Sequence, residues 1–270
     1  MLKLALFLLF MPFILAHGRA GYPDYYRYQI LINDPTTSSV TYQSFTTIPR
    51  IILGLHSKTL SDQKIDAFVM TDWEKPFFSA WAFEEKDKRF SLNFWGGLAR
   101  IPGMNDEAFA LVACHELAHL VGGDPRMKLS QFKSMSSEGQ SDFYASAICM
   151  KNYLRFKHRQ NKLNIPQDIS GQGYTLCRTN FDEEEDFLIC LHTQKAILAF
   201  MDLLQHQSSA SLDLDLVTPD PSQVRVTLHD SYPSPQCRID TLLMGSLCSI
   251  KDYPCDSSSR ARPGCWFSEI

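Results

Sequence analysis

Downstream of its first residues, this chain has no stretch of transmembrane length that is free of charges. Even its apolar Phe187–Leu204 segment contains His192, Lys195 and Asp202, whereas a spanning helix needs about 20 predominantly apolar residues. The mature chain is therefore expected to have no transmembrane segment. Basic runs are also missing, and the formal net charge is −4, so the electrostatic footprint of a nucleic-acid binder is absent. No internal repeat or long low-complexity segment suggests a solenoid or an array. The cysteines include no C-x-x-C pair, the usual spacing of a structural zinc site.

What is present begins with an N-terminus that reads as an export signal over residues 1–20. Lys3 gives a basic start, Leu4–Ala16 is apolar, and Ala16, Gly18 and Ala20 supply small residues. The run is short for an uncleaved anchor, and no cysteine follows it to carry a lipid. A periplasmic or secreted protein is expected, and 8 cysteines suit an oxidising compartment. Residues 21–250 are expected to form one domain; about 250 residues suffice for a sizeable core, and 44% hydrophobic content is ordinary. Residues 251–270 read as a disulfide-stapled tail. Cys237, Cys248, Cys255 and Cys265 cluster around the polar Asp256–Arg262 segment, and a four-cysteine zinc site is the other reading. Cys149, Cys177 and Cys190 lie where they can link the middle helices. Cys114 adjoins His115 and reads as a buried small hydrophobe, with a cysteine-switch or metal-ligand role as the alternative.

The chemistry is concentrated in His115-Glu116-Leu117-Ala118-His119, an H-E-x-x-H motif inside a helix-patterned apolar run. Histidines at i and i+4 share a helical face and can grip one zinc ion. Glu116 is then placed to take a proton from water held there. The third ligand distinguishes two geometries. The pattern H-E-x-x-H-x-x-G-x-x-H is met by Gly122 but fails at Pro125, with Asp124 one place out of register. The gluzincin pattern takes a glutamate from a second helix, and Glu138-Gly139-Gln140-Ser141-Asp142 supplies one. On a helix Glu138 and Asp142 share a face, so Glu138 can ligate while Asp142 accepts the remaining ring N–H of a metal histidine. Ser137 and Gln140 predict a capping box at the start of that helix.

Around the motif, Asn105 or Asp106 caps the first helix, Phe109, Val112, Leu117 and Leu120 give it an apolar stripe, and Gly122-Gly123 ends it. Strands are predicted over Lys64–Met70, Phe78–Phe83 and Phe90–Leu98. Gly21–Gln43 is expected to be extended. One long helix is predicted over Asp182–Gln207, and a last one over Pro235–Leu247 with Ser234 as its cap.

Three segments together give a resemblance: Gly96-Gly97-Leu98-Ala99-Arg100, the H-E-x-x-H motif, and Glu138-Gly139-Gln140-Ser141-Asp142. Over residues 75–245 the chain resembles the HtpX and CAAX-prenyl-protease family of gluzincin metallopeptidases. That family later carries T-H-P-x-x-x-x-R-I, where this chain has Ser231-Tyr232-Pro233-Ser234-Pro235-Gln236-Cys237-Arg238-Ile239. The resemblance implies an α+β, zincin-like (minigluzincin) fold, with a small mixed sheet packed on the H-E-x-x-H helix and on a second, glutamate-bearing helix. Ser141 stands where the family has alanine, a small-for-small change. Tyr232 replaces the family's histidine; its phenol either stabilises a developing oxyanion or packs before Pro233. Arg238 is either a buried partner for a site carboxylate or a helix-surface cation.

These readings converge on an exported zinc endopeptidase acting on protein or peptide substrates. His115, His119 and Glu138 would bind one Zn²⁺ and Glu116 would act as base. The alternative is a non-catalytic exported binding protein with a structural zinc site.

Overall fold

The computed structural model describes residues 29–169, 171–208, 211–255 and 262–268; the expected export signal at residues 1–20 lies outside them. The expected extended lead-in is non-helical over residues 29–41, and its last two residues, Tyr42 and Gln43, open a helix, α1 (Tyr42–Leu55). Its start is fixed by a reciprocal cap. The Ser44 backbone N–H donates to Thr41 Oγ1 and the Thr41 N–H to Ser44 Oγ, satisfying donors that a helix end leaves orphaned. A short helix α2 (Ser57–Asp62) follows.

Three strands then form a mixed sheet: β1 (Asp66–Asp72), β2 (Ala80–Lys86) and β3 (Arg89–Trp95), in the order β1-β3-β2. β3 lies in the middle, parallel to β1 and antiparallel to β2. Asp87 and Lys88 both take positive φ values, as a tight two-residue hairpin requires. The third strand ends earlier than its sequence suggests, because Gly96–Ala99 coils into α3. A Cβ at Gly96 would lie 2.1 Å from the Trp73 carbonyl oxygen, and one at Gly97 2.0 Å from that of Pro76. Only glycine permits this approach.

The central element is α4 (Asp106–Val121). Asn105 caps it by accepting the Glu107 and Ala108 N–H groups, and Asp106 and Glu107 favour its positive end. The expected stripe understates its role, since every residue from Ala108 to Val121 is buried. It is covered by α1, by β2, by α5 (Glu138–Tyr144) and by α8 (Glu184–Gln207). It ends at Gly122-Gly123, where Gly123 has φ +81°.

α5 starts where predicted, but without the expected capping box. Ser137 makes no side-chain cap bond. The Gln140 amide turns away to donate to the Gly122 carbonyl at 2.8 Å and to the Tyr253 hydroxyl at 2.9 Å. α5 continues through a π-helical turn (Ala145–Cys149) into α6 (Met150–Gln160), and α7 (Gln172–Asn180) precedes α8. His192 on α8 meets Glu107 at 2.5 Å and so fastens α8 to the start of α4. α8 is long and apolar enough to cross a membrane, yet 72% of its apolar window is buried inside the protein, the pattern of a core helix. α9 (Pro235–Leu247) has the predicted bounds, with Ser234 Oγ accepting the Cys237 N–H.

Four disulfides pair all eight cysteines: Cys114–Cys149, Cys177–Cys190, Cys237–Cys265 and Cys248–Cys255. Cys114 is therefore neither a cysteine switch nor a metal ligand, because its sulfur is bonded to Cys149. The tail cysteines likewise leave no thiolate for a four-cysteine zinc site. The molecule is thus a mixed α+β protein with a three-stranded sheet and a disulfide-stapled C-terminal region.

α9 approaches the α5–π segment through Gly245, where a Cβ would lie 2.1 Å from Ser146 Oγ and 2.8 Å from the Phe143 carbonyl oxygen. Gly245→Ala is expected to cost about 1–3 kcal/mol by overpacking, lowering the melting temperature by several degrees. An unchanged melt would show that the two helices can separate at no cost.

Candidate metal centre

His115 and His119 project from the same side of α4, one turn apart, with ring centroids 4.8 Å apart and planes at 86°. Glu138, the first residue of α5, closes the group. Its Oε2 lies 3.2 Å from His115 Nε2 and its Oε1 3.8 Å from His119 Nε2. All three residues are buried, and their donor atoms fall within 4.8 Å of one another. Donors bound at about 2.0–2.1 Å around a tetrahedral ion stand roughly 3.3 Å apart, so these spacings suit a single metal ion. A further sign is that Glu138 Oε2 is buried with no hydrogen-bond partner beyond the edge of His115 3.2 Å away. Orphaning a buried carboxylate oxygen is costly, and a bound cation is the natural remedy.

The outer edges of both imidazoles face acceptors. His115 Nδ1 lies 2.7 Å from Asp142 Oδ1. His119 Nδ1 lies 2.9 Å from the Ser136 carbonyl oxygen and 3.0 Å from Ser141 Oγ. A carboxylate and a carbonyl can only accept, so each Nδ1 carries a proton, and with a metal bound each Nε2 would present its lone pair to the common centre. Asp142 is in turn gripped by Arg238 from α9, whose Nε and Nη2 donate to Oδ2 and Oδ1 at 2.7 and 2.9 Å. With its side chain only 12% exposed, Arg238 is a buried partner of this carboxylate and not a surface cation. Tyr232 is half-buried, its ring centroid 5.5 Å from the Arg238 guanidinium. Asp124, the other carboxylate near the motif, is not brought to the centre. Its side chain is 89% exposed and faces Arg126.

Charge is balanced within this cluster. Burial works against a protonated His115, but the Asp142 charge and hydrogen bond, helped by Glu138, outweigh it and push the imidazole up to about 10. Burial would also raise Asp142, yet Arg238 and His115 hold its carboxyl well below the usual range. For Glu138, burial is overcome by the two histidines, and its carboxyl is lowered. Glu116 goes the other way: burial pushes it up, and the neighbouring histidines offset this only in part. Two carboxylates are thus held as anions, while a third, between the histidines, leans toward the proton. Environments that separate the titrations of neighbouring acids in this way are characteristic of functional sites.

Sequence reasoning passed over two contributors. The Ser136 carbonyl is a backbone group and leaves no side-chain signal. Ser141, read as a small-for-small replacement, places a hydroxyl against His119; the only clue is a polar residue on the buried face between Glu138 and Asp142.

Two outcomes are expected. Asp142→Ala lowers metal affinity about 10- to 100-fold in a competitive chelator titration, and unchanged affinity would remove Asp142 from this role. Zinc uptake needs a bare His115 Nε2, whereas the surrounding carboxylates favour the protonated ring when no metal is present, so uptake at pH 8 is expected to release protons. Calorimetry in buffers of differing ionisation enthalpy measures this release, and a buffer-independent heat would contradict the assignment.

No family model, curated protein or solved structure matches the chain.

Proposed function

We propose that the protein is an exported zinc-dependent endopeptidase of the gluzincin type, with a zincin-like fold akin to that of the HtpX and CAAX-prenyl-protease family. One observation carries the reading. A buried carboxylate with a raised proton affinity, Glu116, lies between two histidines whose Nε2 atoms converge with Glu138. Two imidazoles and one carboxylate favour zinc over magnesium or calcium, which prefer all-oxygen sites. They also match the three-ligand sets of catalytic zinc, which leave a fourth position open. The neighbouring segments support the resemblance: Glu138 and Asp142 lie on one helix, and Arg238 reaches the latter from the segment that matches the family's later motif.

Zinc, when bound, supplies Lewis acidity toward a substrate carbonyl and makes water more acidic. Glu116 takes the proton from the attacking water and delivers it to the departing amine as the C–N bond breaks. Its raised proton affinity suits both halves of that transfer. Asp142 and Arg238 hold the His115 ring in the tautomer that keeps Nε2 available. Tyr232, beside Arg238, stands where the resembled family has its histidine, so a hydrogen bond from that position to the developing oxyanion would come from its phenol. The substrate is a protein or peptide met outside the cytoplasm. The binding-protein alternative is disfavoured because a purely structural metal site has no use for a base between its histidines.

Glu116→Gln is expected to lower peptide hydrolysis roughly 10²- to 10⁴-fold while leaving the zinc content unchanged. Hydrolysis retained by a clean preparation of that variant would remove Glu116 as the base.

A further inference from the structure

The cysteine-rich tail has no part in this chemistry, yet it converges on the residues next to the metal ligand. α5 is the N-terminal end of a helical run that continues through the π turn into α6, so Glu138 sits at a helix end whose placement depends on what packs against it. Glu138 and Asp142 occupy its site-facing side. The adjoining side, Gly139 and Phe143 and then Ala147 in the π turn, faces a buried cluster that includes Cys237, Cys265 and Trp266. The Trp266 indole lies directly on the backbone of Gly139: a Cβ there would stand 2.3 Å from Trp266 Cδ2 and 2.5 Å from Cε3. Gln140, the next residue, receives two further tail contacts. Its Oε1 accepts Arg262 Nη1 at 3.1 Å, and its amide donates to the Tyr253 hydroxyl at 2.9 Å.

Disulfides deliver these residues. Cys265, immediately before Trp266, is bonded to Cys237, immediately before Arg238. One covalent link therefore fixes both the indole on α5 and the arginine behind Asp142. Cys255, two residues after Tyr253, is bonded to Cys248 at the end of α9. The tail backbone is also pinned, with the Val224 and Leu228 N–H groups donating to the carbonyls of Gly264 and Trp266 at 2.8 and 2.9 Å.

We propose that the C-terminal tail is the positioning element of the metal centre: Trp266, seated on Gly139 and held there by the Cys237–Cys265 disulfide, sets the direction in which Glu138 presents its carboxylate. Metal affinity then depends on the tail disulfide being formed, so the site is completed only after export and oxidation. The proposal rests on the metal-binding reading above and not on peptidase activity. Trp266 acts through Gly139 and touches no ligand atom itself.

The test is zinc affinity by chelator competition on the full oxidised chain, with a thermal melt of each variant. Trp266→Ala and Gly139→Ala are expected to weaken zinc binding about tenfold or more, while Trp266→Phe, which keeps a ring over Gly139, stays near the parent. Combining Gly139→Ala with Trp266→Leu is expected to recover the melting temperature lost by Gly139→Ala while zinc affinity stays below the parent, a split that general destabilisation does not produce. Replacing Cys177 and Cys190 by serine removes the staple between α7 and α8; it is expected to lower the melting temperature and leave zinc affinity unchanged. Should Trp266→Ala fail to fold, the Gly139→Ala pair carries the comparison. Parental affinity in Trp266→Ala, or in Gly139→Ala, overturns the positioning role alone. So does a loss that merely tracks melting temperature across all variants. A parent that binds no zinc overturns the metal reading and the tail's role together.

Discussion

Asp142 is a carboxylate whose side chain is 1% exposed, and its burial is tolerable only because positive charge reaches it from two directions. Arg238 arrives from α9 with two parallel hydrogen bonds, and His115 arrives from α4. Removing either partner leaves a buried charge uncompensated, a situation that typically costs about 3–5 kcal/mol. Three helices are thereby held in one arrangement. Because folding depresses the Asp142 carboxyl, its stabilisation is fully present above the ordinary carboxyl range and is lost as the pH falls through its lowered folded-state value. The same contact that stabilises the fold aims His115 Nε2 at Glu138.

The rest of the architecture serves this junction. α4 is buried on every side, so the core helix also carries two of the candidate ligands, and His115 and His119 inherit the rigidity of the core. The Cys114–Cys149 bond joins the residue before His115 to the π turn that follows α5, while Gln140 ties α5 to the end of α4 through the Gly122 carbonyl. Gly139 and Gly245 lack side chains where Trp266 and Ser146 need the space. Close packing on both sides lets α5, the first turns of a helix that runs on into α6, act as a fixed platform for Glu138.

Much of this was legible in the sequence, and the parts that were not have physical reasons. The H-E-x-x-H spacing fixes which atoms share a face once a helix is granted, so His115 and His119 followed from residue order alone. Glu138 and Asp142 followed from their i, i+4 separation, and α9 from the Ser234-Pro235 start. The failures lie where distant contacts outweigh local preference. Ser137 and Gln140 spell a capping box, but Gln140 finds better partners in Gly122 and Tyr253, contacts that no local window contains. α1 was missed because Thr46, Thr47, Ile48 and Pro49 weaken its helical signature, whereas burial of Phe45, Ile48 and Ile52 against the core stabilises it. The third strand was read too long because Gly96 and Gly97 coil only to meet the Trp73 and Pro76 carbonyls. Disulfide partners cannot be deduced from spacing, and with them the seat of Trp266 on Gly139 stayed hidden.

The most direct measurement is the metal content of the purified, oxidised protein and of Glu138→Ala, by elemental analysis. The account predicts one zinc per chain in the parent and a marked loss in the variant. A folded parent without zinc, or a variant that keeps its zinc, would contradict it.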